Sequence, residues 1–147
     1  MQKDYPVDVE WRPFELRPGT PPEGIPRKPR PGETNELSPN VKQLADEAGL
    51  LMKRPALVSN SRPALEAGEF AKAQGRFDEF HLGLFKAYWE DNKDIGNRDV
   101  LRDVAVAAGL DGDKLLASLD ANEYVESVTE QFEEAQALGI SAIPAFI

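Results

Sequence analysis

The strongest constraint on this chain is a mismatch between its ends and its middle. The closing stretch, Gly139-Ile140-Ser141-Ala142-Ile143-Pro144-Ala145-Phe146-Ile147, is short, apolar and β-branched, the pattern of a buried strand. Near the other end, Val7, Val9 and Trp11 alternate with Asp8, Glu10 and Arg12, the period-two signature of a half-buried strand. Everything between reads as loop or helix. A pair of short strands alone makes a marginal sheet, and three or more are usually needed. The sequence therefore predicts helices that bury their faces against one another. It also predicts terminal strands that need partners from further polypeptide at both ends or from another chain.

Pro144 sharpens the problem, because a proline inside a strand cannot donate a ladder hydrogen bond. An edge position, a strand start or a cis X-Pro turn would resolve it. At the other end, Arg17 to Gly32 carries six prolines, Pro18, Pro21, Pro22, Pro26, Pro29 and Pro31, with Gly19 and Gly24. Each proline removes a donor and biases its predecessor away from helix, so an extended loop wrapped on the domain surface is expected.

The helices are well punctuated. Ser38 and Pro39 open the first, whose face is Val41, Leu44, Ala45 and Ala48 before Gly49. The second starts near Asn60 or Ser61 and carries a small-residue stripe, Ala64, Ala67, Gly68 and Ala71, that admits a close neighbour. The third presents Phe77, Phe80, His81, Leu84, Phe85 and Tyr88 on one face, with Trp89 beside them. Asn97 caps a helix through Val100, Leu101, Val104 and Ala108 that ends at Gly109. Asp111 caps a short helix with Leu115, Leu116 and Leu119. Asp120 and Glu123 have capping-box-like spacing for the last, with Tyr124, Val128, Phe132 and Ala135 before Gly139.

Composition excludes whole classes of function. With 147 residues, 41% hydrophobic and 29% charged, the chain suits one globular domain. A net charge of −9 argues against nucleic acid and anionic membrane surfaces as partners. No apolar run reaches the length of a membrane span, and no basic-then-apolar leader opens the chain, so a cytoplasmic location is expected. There is no Cys and one His, which leaves no thiol nucleophile, no disulfide and no multi-His metal site within these residues.

The run Val9-Glu10-Trp11-Arg12-Pro13-Phe14-Glu15-Leu16, then Pro21-Pro22-Glu23-Gly24, resembles the DsbA-like thioredoxin superfamily, and specifically FrnE-type dithiol-disulfide oxidoreductases. Asn60, Arg62, Phe80-His81, Leu84-Phe85, Ala87-Tyr88, Asp94-Ile95, Leu101, Ala105 and Gly109-Leu110-Asp111 continue the resemblance. Gly139 to Phe146 is similar to the family's cis-proline loop and the strand after it.

The resemblance implies an incomplete α/β thioredoxin-like fold: a thioredoxin-like strand and Pro-rich loop over 1–35, a helical insertion domain over 36–138, and the cis-Pro loop with the start of the next strand over 139–147. It implies that the Cys-x-x-Cys segment lies before the first residue here, where a helix N-terminus lowers the thiol pKa. Thiol-disulfide exchange on protein or peptide substrates is the implied activity. Ile143 would then offer its backbone N–H and C=O to the substrate in a β-like pairing, while Pro144 holds the turn without a competing amide. These residues are the substrate-binding candidates; no catalytic residue, metal or cofactor is expected within the chain, and a homodimer through exposed strands is one arrangement.

Two rival functions stand beside this one. The 2-hydroxychromene-2-carboxylate isomerases and kappa-class glutathione transferases are similar around the helical insertion and the cis-Pro; they use glutathione, with Ser in place of the dithiol. The other rival is a non-enzymatic helical domain that acts by binding alone. His81 lacks a catalytic partner at a suitable spacing and is expected to pack on its helix. Asn60 and Arg62 could bind a carboxylate or fix the entry to the second helix, and the latter is favoured. Asp111-Gly112-Asp113 lacks the other oxygen ligands of a calcium loop. Glu130, Glu133 and Glu134 read as a solvated helix face.

Overall fold

The computed structural model describes residues 8–28 and 36–147. In order, its elements are β1 (Ile25–Pro26), α1 (Pro39–Glu47), β2 (Leu57–Val58), α2 (Arg62–Ala73), α3 (Phe77–Phe85), a π-helical turn (Lys86–Glu90), α4 (Arg98–Ala107), α5 (Gly112–Asp120) and α6 (Val125–Ala137). β1 and β2 pair antiparallel, Ile25 opposite Val58 and Pro26 opposite Leu57.

α2 is the central helix, and much of its buried face is small. Ala67 and Ala71 are wholly buried and Ala64 nearly so, and α3, α4, α5 and α6 all pack on it. Phe70 of α2 and its neighbours supply the bulk of the core: Phe80 from α3, Leu101 and Val104 from α4, and Leu115 and Leu119 from α5. Short-range backbone approach, which alanine permits and leucine does not, is what the stripe in the sequence encodes. α3 and α4 also cross closely at Gly83, where an added Cβ would stand 3.1 Å from Val104 Cγ1.

Local chemistry sets the helix ends. Asn97 is extended (φ −78°, ψ 128°), and its Oδ1 accepts from the amides of Asp99 and Val100 to open α4. Asp111 does the same for the amides of Asp113 and Lys114 at α5. Ser38 precedes α1 without a side-chain cap, so Pro39 alone marks that start. α6 begins at Val125, not at Asp120. Asp120 instead closes α5 and pairs with Arg98 at 2.7 Å, which removes it from any capping box.

Three further expectations are corrected. Of the first helix's predicted face only Ala45 is buried; Val41 and Leu44 are exposed, because no other element among the described residues covers them. Residues 8–15 form no strand, and Val9 and Trp11 are both about half exposed. Residues 140–147 form no strand either, and all but Ile140 are exposed. Among the described residues neither segment meets a partner strand, and alternation alone cannot supply ladder hydrogen bonds. Val7, together with Pro29 and Pro31, lies outside the described residues. No helix among those described is long and apolar enough to cross a membrane.

Candidate functional site

The segment that carries Ile143 and Pro144 leaves α6 through a left-handed turn. Gly139 has φ +77°, its amide donates to Gln136 O, and the Ile140 amide donates to Ala135 O. Such a turn satisfies the orphan carbonyls of the last helical turn and favours glycine, which has no Cβ to clash at positive φ. The chain then bends through Ala142–Pro144, and the Ile143–Pro144 peptide bond is cis. Ile143 is 51% exposed, and Phe146 and Ile147 follow it with most of their surface in solvent. A branched aliphatic side chain next to a proline and an exposed phenylalanine forms an apolar edge.

The other residues singled out in the sequence lie in a different arrangement. Arg62 sits at a junction of three chain segments. Its Nε reaches Glu66 Oε1 at 2.9 Å within α2, and its Nη1 lies 3.5 Å from Glu15 Oε2 on the N-terminal segment. Its Nη2 donates to Val125 O at 2.7 Å and to Thr129 Oγ1 at 2.6 Å on α6. All sides of the guanidinium are thus engaged. Asn60 Oδ1 accepts from the Arg62 amide at 3.0 Å, turning the chain into α2. Both residues hold the fold, as their placement in the sequence favoured.

Glu69 is a second junction that the sequence did not disclose. Ser127 Oγ and Gln131 Nε2 both donate to its Oε2, at 3.1 and 2.9 Å. Lys72 Nζ stands 3.1 Å from its Oε1. That ammonium also donates to Trp11 O at 2.7 Å, fixing the N-terminal segment against α2. The i, i+3 spacing of Glu69 and Lys72 was the available signal; the partners on α6 were not, since they lie about sixty residues away.

His81 is half-buried in an aromatic cluster. Its ring centroid lies 5.0 Å from that of Phe77, 4.7 Å from Phe85 and 5.1 Å from Trp11. Burial pushes the imidazole below its ordinary pKa, and the Asp78 carboxylate pulls the other way. A neutral ring held between aromatic faces is suited to packing. Trp11, Phe77, Lys72 and Asp78 also edge a shallow groove with Asp8, Val9 and Glu10.

Among the described residues the geometry does not gather an acid, a base and a nucleophile at one point. It leaves an exposed apolar segment around Ile143 and Pro144, with Asn60, Arg62 and His81 assigned to packing. The DSBA-like thioredoxin domain matches residues 1–147. The uncharacterised protein YwbO of Bacillus subtilis (strain 168) is 29% identical over 151 residues, spanning 99% of this chain and 74% of its own length. The chain belongs to the DSBA-like thioredoxin domain family.

Proposed function

We propose that these residues form the substrate-side part of a FrnE-type protein dithiol-disulfide oxidoreductase. The dithiol comes from outside the 147 residues, which contain no Cys. Residues 36–138 serve as the helical insertion domain, and residues 139–147 as the cis-Pro loop. Ile143 pairs its backbone with an extended substrate, and Pro144 leaves that edge without a competing donor.

The observation that carries the reading is the family match over residues 1–147. The exposure of Ile143 beside Pro144 supports it, because an apolar edge in solvent suits a cysteine-bearing segment of an unfolded protein. Exchange itself requires a thiolate to attack a disulfide sulfur, and neither methionine substitutes for it.

The test is an amide-resolved NMR titration of the chain with an unfolded cysteine-containing peptide. The expected shifts fall on the amides of Ile143 and Ala145. Glutathione forms the second arm. Shifts with glutathione and none with peptide would favour the isomerase or transferase chemistry. Shifts confined to the helices would favour a non-enzymatic binding domain, and saturation with no shift near Ile143 would overturn the proposal. In parallel, the 147 residues alone are expected not to catalyse insulin reduction or the oxidation of reduced ribonuclease. Turnover by the pure chain would refute the placement of the dithiol elsewhere.

A further inference from the structure

A second recess lies at the β1–β2 rim, and its construction begins with two tight turns. In Arg17-Pro18-Gly19-Thr20, proline takes the second position and Gly19, at φ +80°, the third, the arrangement of a type II turn. The amide and the hydroxyl of Thr20 both donate to Arg17 O, at 3.4 and 2.8 Å, and Thr20 is buried. The backbone of Arg17 is thereby fixed while its side chain stays at the surface.

The next turn closes through the Gly24 amide, which donates to Pro21 O at 2.8 Å. Gly24 has φ +72°, and a Cβ there would stand 2.8 Å from the Leu57 side chain and 2.9 Å from Val58 O. Only glycine permits β1 to lie this close to β2. The ladder is extended by the Arg27 amide, which donates to Ala56 O at 2.8 Å. Arg27 and Lys28 therefore leave the strand at the rim. From the β2 side, the π-helical turn and the residues after it anchor the approach: Tyr88 Oη donates to Leu57 O, and Asn92 Oδ1 accepts from the Ala56 amide.

Arg17, Arg27, Lys28 and Arg54 line the resulting recess, with the apolar Ile25 and Val58. No carboxylate lines it among the described residues. The surrounding chain carries a net charge of −9, so a concave wall of cations runs against the overall field. Arg54 Nη1 also donates to Glu36 O at 3.4 Å, which ties its guanidinium to the rim. Arg27 supplies a second, independent observation. Its Nε is shielded from solvent and has no acceptor among the described residues. A shielded guanidinium N–H without an acceptor is costly, and an oxyanion would satisfy it.

We propose that this recess binds a small multivalent oxyanion, bearing phosphate or carboxylate groups. Guanidinium forks match the paired oxygens of both groups, and charge-assisted bonds of this kind are the strong ones. None of the lining residues belongs to the segment around Ile143, so the site does not depend on the redox reading.

Isothermal titration of the full chain with inorganic pyrophosphate and, separately, with citrate tests the proposal. One saturable site is expected, and the stronger of the two anions identifies the preferred group. The R17Q/K28Q variant, altered at two exposed positions, should weaken binding at least about tenfold, consistent with loss of two charge-assisted contacts. The K42Q/K86Q variant removes the same charge elsewhere and should bind as the parent does. The Arg27 Nε–H resonance should shift on saturation. Absence of saturable binding by either anion, or equal weakening in both variants, would overturn the site. Circular dichroism of each variant separates lost binding from lost folding.

Discussion

Arg62 and Thr129 meet at 2.6 Å, and through that contact the first turn of α2 is tied to α6 across 67 residues of sequence. The same guanidinium nitrogen donates to Val125 O, while Thr129 Oγ1 donates back to Val125 O at 2.7 Å. Glu15 and Glu66, both largely buried, hold the other nitrogens. A planar fork with donors on every side suits this place; a lysine ammonium could not reach all of them.

Replacing Arg62 with Ala should therefore lower stability by about 2 kcal/mol or more, since charged hydrogen bonds are lost and two shielded carboxylates are left without their cation. R62K should recover only part of this. Urea unfolding of the variants measures both effects, and a change within about 0.5 kcal/mol, the usual range for surface positions, would contradict the assignment.

Gly24 and Gly19 provide a controlled comparison. Both have positive φ, near 72° and 80°. A Cβ at Gly19 would meet nothing, whereas one at Gly24 would strike Leu57 and the Val58 carbonyl. G19A should cost about 1 kcal/mol, the price of a left-handed residue with a side chain. G24A should cost distinctly more and should shift the amides of Leu57 and Val58 in an NMR spectrum. Equal costs at the two positions would show that close approach plays no part.

The helix starts make a similar pair. N97A removes an acceptor used by two amides and should destabilise by about 1 kcal/mol, while S38A removes a side chain that makes no capping bond and should change little. Thermal unfolding of both variants under one buffer is a sufficient measurement.

His81 predicts a pH dependence whose sign is fixed. Its pKa in the folded chain lies below the ordinary value of 6.5, so the unfolded state binds more protons in the window just below that value. The stability contributed by the neutral ring is fully present above about pH 6.5 and falls as pH drops toward the folded-state value. H81Q should flatten that part of the curve. Subtracting the variant from the parent, by urea unfolding from pH 5 to pH 8, isolates the histidine from the carboxylates. A difference that grows with rising pH above 7 would reverse the sign and refute the assignment.

Much of the helical core was legible because its signals are local. Asn97, Gly109, Asp111 and Gly139 act on amides and carbonyls within a turn of themselves, and their sequence context is enough. The alanine stripe of α2 was legible for the same reason. What escaped depends on distant partners. The periodicity of Val41 and Leu44 defines a face, but not whether another element covers it. The alternation from Val7 to Arg12 defines two sides of an extended segment, but not a neighbour to hydrogen-bond. The pairing of β1 with β2 joins a proline-rich loop to a dipeptide more than thirty residues on, and two residues are too few for any period to register. The Ile143–Pro144 candidate rests on resemblance to a family; periodicity gives only a strand with a misplaced proline.

α2 bears one further consequence. Apart from Phe70, its buried apolar side chains are the methyl groups of Ala64, Ala67 and Ala71, so along most of its length the helix contributes contour more than bulk. Four other helices are fitted against that contour, and each brings a larger buried residue of its own: Phe80, Leu101, Leu115 and, from α6, Val128. The centre of this molecule acts as the mould and its periphery as the cast. Variation in Phe80, Leu101 or Leu115 alters one seam, but one added branch at Ala67 or Ala71 would displace several seams together.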